Sequence, residues 1–197
     1  MRVSVTTLDA FYRYINGDEY ISYEDIINRI LRKDVSSRAM EIGSAFHGAL
    51  EILPDETESI ERLEKDGITF SFADDIEYII QPKIREVKTE YELNGFTIVG
   101  VADAIYGDTV IDHKTTSRLD LDRYHDSLQW RFYLQMFNAN RFMYQIFQIE
   151  VDKEDENKYT VNSIDRISFY RYPEMEAENE RLITEFSYFV KQIGIEQ

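Results

Sequence analysis

Two aspartates and a lysine interrupt a stretch of this chain that is otherwise built for burial. In GVADAIYGDTVIDHKTTSR, residues 100–118, Asp103, Asp112 and Lys114 stand among Val, Ile and Ala. Charged side chains enter such surroundings when they are paired or bind a metal. Gly107-Asp108 is a turn dipeptide between two strand-like runs. If it forms a two-residue hairpin loop, Tyr106 pairs with Thr109, paired residue numbers sum to 215, and Asp103 faces Asp112. Lys114 then shares their face and His113 points to the other, because strand side chains alternate. Directly opposed residues have Cβ atoms roughly 4.5–5.5 Å apart, where like charges repel. Two carboxylates so placed need a cation or a shared proton. A hard, oxygen-seeking ion, Mg²⁺ or Mn²⁺, fits best. A longer loop would shift the register and leave both as ordinary strand-end or turn residues.

The elements that must position these groups can be read along the chain. SVTTLDAFYRYI predicts a first helix with Leu8, Phe11, Tyr12 and Ile15 at helical spacing. Residues 22–34 predict a second, with Ser22 as N-cap and Asp25 three residues on. Residues 36–53 predict a third despite Gly43 and Gly48, which cost about 1 kcal/mol each relative to Ala and so point to close approach of a backbone or ligand. A short acidic helix is expected over 56–66, a strand at ITFSF and a further helix over 73–81. Three antiparallel strands follow, about 84–93, 96–106 and 109–114, turned at Asn94-Gly95 and Gly107-Asp108. A polar loop, a helix over 125–140, strands at 141–151 and 158–170 and a last helix over 173–193 complete the pattern. The fold class is α+β (mixed α/β), a central mixed sheet containing antiparallel hairpins and flanked by helices. A single domain over 1–197 is expected, with a helical part about 5–66 and a core about 67–170.

These residues resemble the PD-(D/E)xK nuclease superfamily, in its RecB-like and phage exonuclease branch, which has a restriction-endonuclease-like core. The first acid of that family falls on Asp103, four residues into Gly100-x-x-Asp103, and its D-x-K element on Asp112-His113-Lys114. The branch's helical G-x-x-x-H matches Gly43–His47, and its Q-x-x-x-Y matches Gln129–Tyr133. The acid on the preceding strand is assigned to Glu90. The resemblance covers about residues 5–140 and leaves the last strands and helix without a motif.

The resemblance implies one or two Mg²⁺ or Mn²⁺ ions held by His47, Asp103, Asp112 and the backbone carbonyl of His113. Glu51, one turn after His47, is a candidate to orient it, or is solvated. Lys114 positions water and stabilises charge on the phosphate; a salt bridge to Asp112 is its structural alternative. Gln129 is expected to orient the site, and Tyr133 to pack or contact DNA. Thr115, Thr116, Ser117, Arg118 and Arg131 are candidate phosphate contacts. Trp130 either stacks on a base or packs in the core. His125 receives no role.

The implied activity is phosphodiester hydrolysis on linear double- or single-stranded DNA, of exonuclease type, in phage, recombination or repair contexts. The alternative is an inactive nuclease-fold subunit that binds DNA or protein. A third reading is an acidic interaction protein with an accidental motif match. The net charge of −16 argues against tight, nonspecific DNA binding by a lone monomer. Residues 51–82 and 151–197 carry 13 of those charges, so the motif-bearing segments are close to neutral. A closed homo-oligomer, or a recombination or repair partner, would concentrate the few basic groups. The absence of cysteine excludes an iron–sulfur cluster, a thiol nucleophile and a disulfide framework. No membrane association is expected, because no apolar run reaches span length and MRVSVTTLDAF has no signal region. The expected location is the cytoplasm of a bacterial cell or a phage-infected host.

Overall fold

In the computed structural model, residues 1–54, 60–73 and 82–195 are described. The order is β1 (Arg2–Ser4), α1 (Val5–Ile15), α2 (Tyr23–Leu31), α3 (Arg38–Glu51), β2 (Arg62–Lys65), β3 (Ile68–Phe72), β4 (Ile84–Leu93), β5 (Phe96–Tyr106) and β6 (Thr109–Thr116). Then come α4 (Leu121–His125), α5 (Gln129–Met136), β7 (Arg141–Val151), β8 (Lys158–Tyr170) and α6 (Met175–Gln192). The strands form one mixed sheet in the order β1-β5-β6-β7-β8-β3-β2, with β4 added against β5.

Local chemistry accounts for most boundaries. Ser22 and Asp25 close a reciprocal capping box at α2, as their spacing predicts. Ser4 and Ser37 cap α1 and α3 through Thr7 N and Met40 N. Both hairpin loops hold two residues, since Leu93 pairs with Phe96 and Tyr106 with Thr109. Asn94 and Gly95, at φ 48° and 81°, take the left-handed turn conformation that tight hairpins need.

Three expectations change, and a fourth lies outside the described residues. Arg62–Lys65 forms β2 where a helix over 56–66 is predicted, because it pairs antiparallel with Ile68–Phe72. The helix over 73–81 falls almost wholly outside the described residues. Asp120 caps a short α4 inside the expected polar loop, so the single helix over 125–140 becomes α4 and α5. β1, too short to register as a periodic run, pairs parallel with Thr97–Val99.

Two cores flank the sheet. One joins α1, α5 and α6 to β5 and β7 through Phe11, Phe96, Phe132, Phe142 and Phe186. The other packs Phe46 of α3 edge-on against Phe70 and tilted against Phe147. β6 and β7 are parallel, so the chain must cross over between them, and α4 and α5 make that crossing. The crossover is what lays α5 beneath β6. Among the described residues no helix is long and apolar enough to cross a membrane.

Candidate active site

The site sits at a fork in the sheet. β4 pairs with one edge of β5 from Phe96 to Ile105. A strand has two edges, so β1 and β6 share the other, β1 at Thr97–Val99 and β6 at Ala104–Tyr106. Gly100 to Asp103 lie between them, with no strand paired on that edge among the described residues. Side chains satisfy the gap instead. Tyr133 Oη donates to Val101 O at 2.8 Å, and His113 N donates to Asp103 Oδ2 at 2.6 Å. The register sum of 215 holds, but the ladder ends at Ala104–Ile111, one pair short of the two aspartates.

Asp112 is buried at 4% exposure. Gln129 Nε2 donates to its Oδ1 at 3.1 Å, and Lys114 Nζ lies 2.6 Å from its Oδ2. That second contact is a close, charge-assisted pair, so Lys114 covers the oxygen that Gln129 does not. Burial raises the Asp112 pKa, Lys114 pulls it back, and nearby Asp103 adds to the rise, leaving it at about 6. Burial works against the charge on Lys114, but Asp112 and Asp103 more than offset it, and its pKa is raised. Asp103 also resists burial: its bond to His47, and the positive charges around it, hold it down to about 2.

His47, one turn past Gly43 on α3, brings Nδ1 to 3.5 Å from Asp103 Oδ2. Burial opposes protonation of His47, yet Asp103 prevails and raises its pKa. The His113 ring points away from Asp112, against Phe147 at 5.8 Å and His47 at 6.1 Å, and burial lowers its pKa to about 4. It is therefore neutral, and its contribution to the cluster comes from its backbone.

A different acid of β4, Glu86, lies beside this cluster. It falls between the pairs Arg85–Ala104 and Val87–Ala102, opposite Asp103, and lines a small cavity with His47, Glu51 and His113. Its φ of 50° is a strained value for a glutamate, of the kind found at functional sites. Burial, Asp103 and Glu51 raise its pKa. The sequence carries the signal: Asn94-Gly95 makes paired residue numbers on β4 and β5 sum to 189, which sets residue 86 opposite 103. Glu90 lies away from this cluster, in an exposed bidentate pair with Arg2 at 2.6 and 2.9 Å.

The remaining candidates divide. Gln129 joins the site, held there because Asp9 of α1 accepts from Ser127 Oγ and Leu128 N at the start of α5. Asp9 and Ser127 were not singled out from the sequence. Tyr133 is a buried brace of the fork rather than a surface contact. Trp130 stacks on Phe169 in the core, and Arg131 pairs with Glu178 of α6 at 2.7 Å. Glu51 is exposed, and among the described residues no hydrogen bond joins it to His47. Thr116 and Arg118 bond to each other, Ser117 is exposed, and Thr115 faces Gly43 of α3.

The donor chemistry fits a hard divalent ion: two carboxylates, Asp103 and Asp112, and the His47 imidazole gather in one cluster. Among the described residues, no three His, Asp or Glu side chains are already arranged around one point. Lys114 and His47 neutralise the carboxylates in their place.

No protein-family model and no curated protein matches the sequence. Solved structures do. A putative exonuclease from Eubacterium rectale matches 100% of this chain and 83% of its own, at 14% identity and TM-score 0.56. LHK-Exo of Laribacter hongkongensis, solved in complex with dAMP, matches 97% of this chain and 90% of its own, at 15% identity and TM-score 0.50. SSO0001 matches 95% of this chain and 76% of its own, at 18% identity and TM-score 0.53. At these identities the likeness is one of fold, and the chain has the fold of these solved exonuclease structures.

Proposed function

We propose that this chain is a Mg²⁺- or Mn²⁺-dependent deoxyribonuclease that hydrolyses phosphodiester bonds from the ends of linear DNA and leaves 5′-phosphates. The observation that carries this reading is the convergence of Asp103, Asp112, Lys114 and His47 at one fork of an exonuclease-type sheet. Asp103, Asp112, His47 and the His113 carbonyl are the groups that would hold one or two ions. A divalent ion so held lowers the pKa of its water and offsets charge on the phosphate oxygens.

Lys114 keeps its proton, so its part is electrostatic: it stabilises the negative charge that builds on the phosphate. Gln129 fixes Asp112 by one oxygen, and Lys114 faces the other. The dAMP in the LHK-Exo complex is a deoxynucleoside monophosphate, the kind of product an exonuclease releases, and supports DNA as the substrate. A homo-oligomer, or a recombination or repair partner, would add basic surface to a chain of net charge −16.

One observation favours a second reading, a nuclease fold that binds DNA or protein without cutting. Lys114 already occupies Asp112, and no donors are arranged for an ion among the described residues. Digestion of end-labelled linear duplex, linear single-stranded DNA and a closed circle decides between them. Each is run with Mg²⁺, Mn²⁺ or EDTA, with Lys114→Ala as control. Metal-dependent loss of linear DNA alone, reduced roughly 10²–10³-fold in the variant, is the expected outcome. Cutting of the circle makes it an endonuclease. No cutting by folded protein establishes the second reading.

A further inference from the structure

The phosphate contacts expected from the sequence do not share a surface, but another set of basic residues does. The β4–β5 register places Lys88 opposite Val101, two residues from Glu86 and Asp103 along each strand. Two residues of strand span roughly 7 Å. From there an open cavity of about 550 Å³ runs beneath α2 and the start of α3, lined among others by Arg2, Ser4, Arg29, Arg32, Met40 and Lys88. Of its five charged side chains, four are basic and only Asp34 is acidic. The whole chain has the opposite balance, 22 basic residues against 38 acidic.

Arg2 is held by Glu90, and Lys88 Nζ lies 3.9 Å from the same carboxylate. Neither Arg29 nor Arg32 forms a salt bridge within 4 Å among the described residues, and Arg29 is felt only at longer range by Asp25, one turn earlier on α2. The hydroxyls of Ser4, Thr6 and Thr7 add donors, and no aromatic ring lines the cavity for a base to stack on. Such a lining matches phosphates and ignores bases.

We propose that this cavity seats the phosphate backbone of the DNA strand that reaches Asp103 and Asp112, with Arg29, Arg32 and Lys88 as its contacts. The proposal rests on the nuclease reading above. It predicts binding without sequence preference and with steep salt dependence, because each neutralised phosphate releases counterions.

The test compares wild type with the triple variant Arg29→Ala, Arg32→Ala, Lys88→Ala. The probe is a fluorescein-labelled single-stranded oligodeoxynucleotide, followed by anisotropy in EDTA across a NaCl series. All three side chains reach solvent, and thermal melting verifies that the variant folds. Expected are an affinity loss of about tenfold or more, and a slope of log K against log[NaCl] smaller by about 0.7 per lost contact. An unchanged affinity and slope, or no binding by wild type, overturns the proposal. Hydrolysis of bis(p-nitrophenyl) phosphate with Mn²⁺, too small to need the cavity, separates the two claims. A triple variant that keeps wild-type hydrolysis while losing DNA affinity supports both. Hydrolysis absent from both proteins, with affinity still lost, removes the nuclease reading and leaves the cavity as a DNA site.

Discussion

At the scale of single residues, the site is a set of charges that neutralise each other and are held off their usual protonation. Gln129 is the neutral member, anchoring Asp112 by one oxygen. Gln129→Leu keeps the bulk but leaves that oxygen without its donor, and metal-dependent cleavage should fall roughly 10–100-fold, in proportion to weaker Mn²⁺ binding measured by calorimetry. Asp103 and Asp112 have opposite linkage to pH. The depressed Asp103, at about 2 against an ordinary 3.8, contributes stability that is present above 3.8 and lost as pH falls toward 2. The raised Asp112, at about 6, binds its proton longer when folded, so its ionisation costs stability as pH rises from about 4 to 6. Urea unfolding of Asp103→Asn should therefore show a shallower loss of stability between pH 4 and pH 2 than wild type. Equal slopes would mean that Asp103 is not held as described.

At the scale of elements, β5 decides the geometry, because one strand edge carries β1, a gap and β6 in turn. Tyr133 bridges the gap through Val101 O, and its ring packs tightly against Gly100. A Cβ at Gly100 would meet Tyr133 Cε1 at 3.1 Å, Met136 Cε at 3.3 Å and Val5 Cγ2 at 3.4 Å. Gly100→Ala should cost about 1–3 kcal/mol in urea unfolding and lower cleavage as well, since α5 carries Gln129. Gly43 differs. A Cβ there would make ordinary contact with the Thr115 side chain at 3.7 Å, and no backbone approaches it. Gly43→Ala should stabilise α3 by about 0.5–1 kcal/mol with little loss of activity. The same holds of the space at Gly48, where the nearest atom is Lys65 Cε at 3.4 Å. The two helical glycines thus do not mark the close approach that their composition suggests.

At the scale of the molecule, the basic cavity lined by β4, β5 and the neighbouring ends of α2 and α3 is one surface, and the packing of α5 against α6 is another. Arg131 belongs to the second. It pairs with Glu178 and packs over the Tyr12 and Trp130 rings, so it ties α5 to α6. Arg131→Ala should cost about 1 kcal/mol of stability and leave oligonucleotide affinity unchanged. A loss of affinity instead would place DNA on the helical face and contradict the division.

Much of this was written locally. Turn dipeptides, caps and alternation are near-neighbour effects, so 84–93, 96–106, 141–151 and 158–170 appear as strands with the limits their sequence predicts. The two-residue hairpins likewise determine register, and with it the adjacency of Asp103, Asp112 and Lys114 and the position of Glu86. Glu90 lies four residues along β4 from Glu86, where the register of the Asn94-Gly95 hairpin puts it opposite Val99 and away from Asp103. What spacing alone could not decide lies beyond the reach of neighbours. β2 is a strand because β3 offers it a partner, against the helical bias of an acidic segment. Arg131 and Trp130 point to the core because a crossover must bury the face of α5, not because of their chemistry. The stopping of the β5–β6 ladder one pair before the aspartates required three distant segments to meet: β1 on the same edge, Tyr133 in the gap and Asp9 at the start of α5. Long-range contacts of that kind cost chain entropy and are secured by collective burial, which only the assembled fold supplies.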